Sequence, residues 1–177
     1  MRGAAPLATW LKFHGEGIDH LRLQKLVFYC FGAAVAHGCD QELGDIRFRA
    51  WKHGPVNLDV YRLHHQCGRA VLPKPGFHEV PVYSEPLQQV LRDVLAVYGR
   101  LSPWQIREES HEEAPWLRTR QSDQIDPADV RTHFREKFAP GRVSAPKHLI
   151  QSWSFRVDGL PVHPWPSLHS LASALRA

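Results

Sequence analysis

A chain of 177 residues with 43 % hydrophobic and 23 % charged side chains has the size of one globular domain, able to hide roughly 70 % of its unfolded surface without staples, so disordered and fibrous classes are excluded. The formal net charge is only +4, arginine and histidine are scattered, and the densest charge clusters (Glu108-Glu109, Glu112-Glu113) are acidic. The basic stripe expected of a nucleic-acid binder is therefore missing. The cysteines Cys30, Cys39 and Cys67 are odd in number and form no C-x-x-C, which points to a reducing cytoplasm rather than a secreted disulfide scaffold.

Near the N-terminus, Trp10-Leu11-Lys12-Phe13-His14 breaks any signal-peptide apolar core. The most apolar stretch, 26–36, is about half a membrane span, so no membrane helix is expected. That stretch belongs to a predicted central helix opened by Asp19, whose carboxylate can accept a backbone N–H, and closed by Gly38 in the left-handed conformation. Leu23, Leu26, Val27, Cys30, Phe31 and Ala34 follow one helical face, while Leu21, Phe28, Gly32 and Val35 form a second apolar strip. A helix apolar on two sides sits inside a domain. Lys25 lies in the second strip, and its ammonium must snorkel out or meet a carboxylate.

Ile46 to Trp51 alternates apolar and polar residues, the period of a half-buried strand. Lys52-His53-Gly54-Pro55 breaks it, and Asn57 caps a helix carrying Leu58, Val60, Tyr61 and Leu63. The Trp51-Lys52-His53 corner is expected at the surface. Residues 68–83 read as a loop with a short extended piece at 80–83. Ser84 then caps an amphipathic helix that buries Leu87, Val90, Leu91, Val94, Leu95 and Tyr98, turns Arg92 and Asp93 to water, and ends at Gly99.

Ser102-Pro103-Trp104-Gln105 is a capping box with proline in the first turn. Pro115 stops the helix it opens, and Trp116 is expected, like Tyr61, to pack on the core. A further helix starts at Asp126-Pro127 with Val130, Phe134 and Phe138 at four-residue intervals. From residue 140 onward prolines punctuate short pieces, among them an alternating 153–157 segment and a last helix over 167–176. Residues 140–177 read as a C-terminal arm on a domain of residues 1–139.

Twelve histidines invite a metal, but His64-His65 with Cys67 points its side chains in different directions. His111-Glu112 and His78-Glu79 lack the second histidine of a zinc helix. No nucleophile elbow and no phosphate-binding glycine loop occurs. Neither a metal, a cofactor nor catalysis is expected.

The order of the signals is more specific than any one of them. Gln24 to Tyr29 comes first, then Phe48 to Val56 with Trp51-Lys52-His53-Gly54-Pro55, then Val60-Tyr61, Leu91 to Gly99 with Leu101 to Trp104, and Ser110 to Trp116. Over about residues 21–117 this resembles the SocA-like family, also called the Panacea domain. Ser110 stands where threonine is usual, and Cys30 replaces a small residue. The resemblance implies a mainly α fold, a single helical domain around the buried central helix with a small antiparallel β element, and no catalytic residues. It also implies an antitoxin that neutralises a cognate protein toxin by direct contact, and a possible adaptor role in delivering that toxin to an AAA+ protease such as ClpXP. The candidate partner-binding residues are Lys25, Trp51, Lys52, His53, Trp104 and His111. Gly54, Pro55, Tyr61, Ser102, Pro115 and Trp116 are assigned structural roles. The competing expectation is a small DNA-binding autorepressor, supported only by arginine content.

Overall fold

A computed structural model describes residues 2–139, 145–149 and 167–176. The fold is mainly α. Helices α1 (Ala4–His14) and α2 (His20–Ala36) precede a hairpin of β1 (Arg49–Trp51) and β2 (Gly54–Val56). Then come α3 (Leu58–His64), α4 (Glu85–Tyr98), α5 (Pro103–His111), α6 (Ala114–Arg118), α7 (Pro127–Lys137) and α8 (Leu168–Arg176).

Helix α2 is the axis of the molecule. The Asp19 carboxylate accepts from the Arg22 N–H at 2.7 Å, and Gly38 closes the helix with φ +70°, as its sequence requires. Every residue from Leu23 to Val35 is buried, because α1, α4, α5, α7 and β2 all pack around it. Phe28 meets Phe48 and Phe134 edge-on, each at 5.0 Å. Such pairs add to area burial by about 0.5–1.5 kcal/mol each. Gly32 explains how the Phe134 ring comes so close: a Cβ there would lie 2.3 Å from it.

The hairpin pairs Arg49 with Val56, Ala50 with Pro55 and Trp51 with Gly54. The expected strand is shorter than its alternating pattern, although Ile46, Phe48 and Ala50 are buried and Arg47 and Arg49 exposed as that pattern requires. Residues 122–125 run along its other side, with Ala50 N–H donating to the Asp123 carbonyl at 2.9 Å and Ile125 N–H to that of Phe48 at 2.9 Å.

Two local expectations are corrected. Ser84 occupies the N-cap position of α4, but its hydroxyl and N–H both bond the Glu42 carboxylate, so it makes no side-chain cap. Asp93 is buried rather than facing water. Helix α8 lands on that side of α4, and His169 (3.0 Å), Arg176 (3.1 Å) and Gln89 (2.9 Å) supply its hydrogen bonds. Val80 is extended, in keeping with the extended piece expected at 80–83, and follows a short 3-10 turn, Phe77–Glu79; Gly99 ends α4 as expected, without entering the left-handed region.

The described parts of 140–177 join the same core, with Ala145, Leu149, Leu168, Leu171 and Ala172 all buried in it. The alternating 153–157 segment and the prolines at 140, 161, 164 and 166 lie outside the described residues. Among those described, no helix is long and apolar enough to cross a membrane.

Candidate functional site

The site is built on the reversal between β1 and β2. Lys52 and His53 keep negative φ, and Gly54 makes the turn with φ +92°. Glycine is required there twice over. The backbone sits in the left-handed region, and a Cβ would lie 2.5 Å from Ser110 Oγ and 2.9 Å from Lys25 Nζ.

Lys25 is fully buried, so it does not snorkel, and it meets no carboxylate among the described residues. Its ammonium nitrogen donates instead to the Pro55 carbonyl at 2.8 Å. Burial, and then the nearby Arg107 guanidinium, hold its pKa well below the usual lysine range. This corrects the expectation that Lys25 reaches a partner: it supports the turn from beneath. Ser110, also fully buried, donates to the Arg107 carbonyl at 2.7 Å. Gln24 completes the support, its Oε1 accepting from Asn57 N–H at 2.8 Å and its Nε2 donating to the Asn57 carbonyl at 3.1 Å. Asn57 in turn caps α3, accepting from the N–H groups of Asp59 and Val60.

Above this floor the exposed residues fall into two groups. In the first, Arg107 Nε donates to His53 Nδ1 at 3.2 Å while its guanidinium lies over the Trp104 ring at 4.4 Å. Trp104 is 55 % exposed, an unusual position for the largest side chain. The expected capping box fixes its helix: Ser102 N–H donates to Gln105 Oε1 at 2.9 Å and Gln105 N–H to Ser102 Oγ at 3.2 Å.

In the second group, His111 stacks on Trp116 with ring centres 4.1 Å apart, and Trp116 Nε1 donates to the Trp51 carbonyl at 3.0 Å. Trp51 meets Tyr61 edge-on at 4.7 Å. Trp51, Tyr61, His111 and Trp116 are half-buried; Trp116 packs against the core as expected, whereas Tyr61 falls short of the core position expected for it. Burial first, then the nearby Arg107 guanidinium, lower the pKa of His111 to about 4, so its ring is neutral at physiological pH. Lys52 stands apart from both groups, on the lip of a cleft of about 210 Å³ shared with Trp116 and Leu117.

Beside the site, Pro115 lies in the first turn of α6, whose N-cap Glu113 anchors a buried network. Its carboxylate accepts from Tyr29 at 2.8 Å, lies 2.6 Å from His133 Nε2 and also pairs with Lys137. Burial opposes the charged form of Glu113, but Lys137 and His133 together outweigh it and bring the pKa down to about 2.

Sequence reasoning missed Arg107 and Glu113. Arg107 stands three residues after Trp104, the spacing that puts two side chains on one helical face, which was the available signal. Glu113 offered none, since its partners come from α2 and α7. Among the described residues no three histidine, cysteine, aspartate or glutamate side chains are grouped to hold a metal ion.

The family described as "Antitoxin SocA-like, Panacea domain" matches residues 23–117. Searches of curated proteins and of solved structures returned no match. Because the family match covers more than half of the chain and takes in α2, the 51–56 turn and α5, the protein belongs to the SocA-like antitoxin family through its Panacea domain.

Proposed function

We propose that this protein is the antitoxin of a toxin–antitoxin pair and neutralises a protein toxin by touching it with the exposed surface around the 51–56 turn. The observation that carries the reading is the Trp104–Arg107–His53 arrangement. A tryptophan more than half exposed and an arginine stacked on it are the two side-chain types most enriched among interface anchors. They stand beside a turn whose backbone is pinned by Lys25, Gly54 and Asn57, so little order remains to be imposed on binding. The proposal assigns no catalysis. Lys25 and Ser110, beneath the turn, are wholly enclosed.

The test is co-expression with each neighbouring small reading frame that is lethal alone, followed by titration of the purified pair. Rescue by the intact chain is expected. Replacing Trp104 and Arg107 together by alanine should weaken the complex by about 2 kcal/mol or more and leave the melting temperature close to that of the parent. Unaltered affinity removes this face from the proposal, and turnover of a substrate by the chain alone removes the antitoxin reading.

Delivery of the bound toxin to an AAA+ protease such as ClpXP would be a further step of the same proposal, and it requires a second surface. Truncating the C-terminal arm is a poor way to find it, because Leu168, Leu171 and Ala172 are core residues. Toxin lifetime in cells with and without the protease is the cleaner measurement. Equal lifetimes would leave occlusion alone.

A further inference from the structure

Away from the 51–56 turn, α2, α4 and the end of α8 enclose a cleft of about 480 Å³, within the size range of ligand sites. Leu26, Leu95 and Ala96 give it an apolar floor, and Arg22, Arg92, Arg100 and Arg176 surround it. Arg92 and Arg100 lie eight residues apart on and just after α4, whereas Arg22 and Arg176 come from distant parts of the chain. Only the packing of the helices gathers them.

Their charges are unequally matched. Arg92 meets Glu85 and Arg176 meets Asp93, while Glu16 on the rim is held by Lys74 at 2.6 Å. Arg22 and Arg100 have no ion pair to a carboxylate among the described residues. Arg22 Nη1 donates to the carbonyls of Glu16 and Gly17 at 3.1 and 3.2 Å, and Arg100 donates to those of Ala96 and Leu175. Arg22 Nε is buried with no hydrogen-bond partner among the described residues. A buried donor without an acceptor is costly until one arrives, and a guanidinium is best matched by a carboxylate.

We propose that this cleft docks an acidic segment of a partner protein, seating one apolar side chain on the half-buried Leu95 and Ala96, which Leu26 supports from beneath, and placing the flanking carboxylates on Arg22 and Arg100. Arg22 and Arg100, which meet carbonyls but no carboxylate among the described residues, come from different parts of the chain and line the cleft together with its apolar floor. A match therefore needs two separate carboxylates with an apolar group between them, the pattern a peptide supplies. None of the residues proposed to contact the toxin takes part, so this surface stands or falls independently of the toxin-binding face.

The experiment is selection from a library of random short peptides displayed on phage, using the full chain as bait. Enriched peptides should carry Leu, Phe or Trp flanked by Asp or Glu, and added salt should weaken them. Ala96→Glu puts a repelling carboxylate on the half-buried floor while keeping a good helix former. It should lower the affinity of the enriched peptides by ~10-fold or more, as like charges facing each other at an interface do. Arg100→Gln, with a melting curve beside it, gives a second reading should Ala96→Glu disturb the fold. Enrichment of peptides without acidic residues overturns the proposal, as does equal binding to both variants. Binding of laurate with no acidic peptide enriched overturns it too, since the cleft would then serve a small carboxylate rather than a protein.

Discussion

One helical turn separates Lys25 from Tyr29 on α2, and the two ends of that turn bury polar groups in opposite ways. Tyr29 meets a buried carboxylate, Glu113, that is matched by His133 and Lys137, so the charge is kept and its pKa falls to about 2. Lys25 meets the Pro55 carbonyl and no carboxylate among the described residues, so burial drives its pKa down and favours the neutral amine. Pairing ties α6 and α7 to the central helix. Neutralisation fixes the turn that carries the exposed face.

The comparison breaks most visibly at Glu113. Glu113→Ala leaves Lys137, His133 and the Tyr29 hydroxyl without their shared acceptor and should cost about 4 kcal/mol in chemical denaturation, as for one partner of a buried pair. The same carboxylate sets an acid limit. Its folded pKa lies below its unfolded one, so its contribution is complete above pH 4.5 and is lost as pH falls toward about 2. Glu113→Gln should flatten stability across that window; an unchanged acid transition would show that the pairing does not matter.

Gly54→Ala is next. Left-handed strain and the approach to Ser110 Oγ and Lys25 Nζ should together cost about 3 kcal/mol. Adding Ser110→Ala removes the nearest atom and should restore part of the loss, a coupling that a double-mutant cycle reads directly. Strict additivity would refute the steric account.

Lys25→Met sharpens the other half of the contrast. The variant gives up the Pro55 hydrogen bond but no longer buries an amine, so stability at pH 7 should change by about 1 kcal/mol or less. The parent should gain stability as pH rises toward 10.5, because over that range the unfolded chain holds a proton that folded Lys25 resists. That gain should shrink in Lys25→Met. Smallest of all, alanine at both Lys52 and His53, which are exposed, should alter stability by no more than about 0.5 kcal/mol, and any larger loss in a thermal melt would make the corner structural.

Much of the frame was legible because its signals are local. The Asp19 and Asn57 caps, the Ser102-Gln105 box and the Val130, Phe134, Phe138 stripe each depend on groups within four residues of one another. The Lys52-His53 corner was legible as a surface for the same reason. Asp93 and Ser84 misled because their partners, α8 and Glu42, come from distant parts of the chain. Lys25 misled because its acceptor is a backbone carbonyl, a group every residue carries and no sequence pattern marks.

By itself, then, the sequence determined where α2 to α5, α7 and α8 lie, though not α1 or α6, that α2 lies inside, and which family the 23–117 region belongs to. Spacing along a chain fixes short-range hydrogen bonds and apolar faces. Tertiary structure alone decided that Lys25 is a floor rather than a contact, that Arg107 joins His53 to Trp104, and that four scattered arginines surround one cleft. Those outcomes depend on which surfaces come together when apolar area is buried, and burial, unlike helix periodicity, has no fixed separation in sequence.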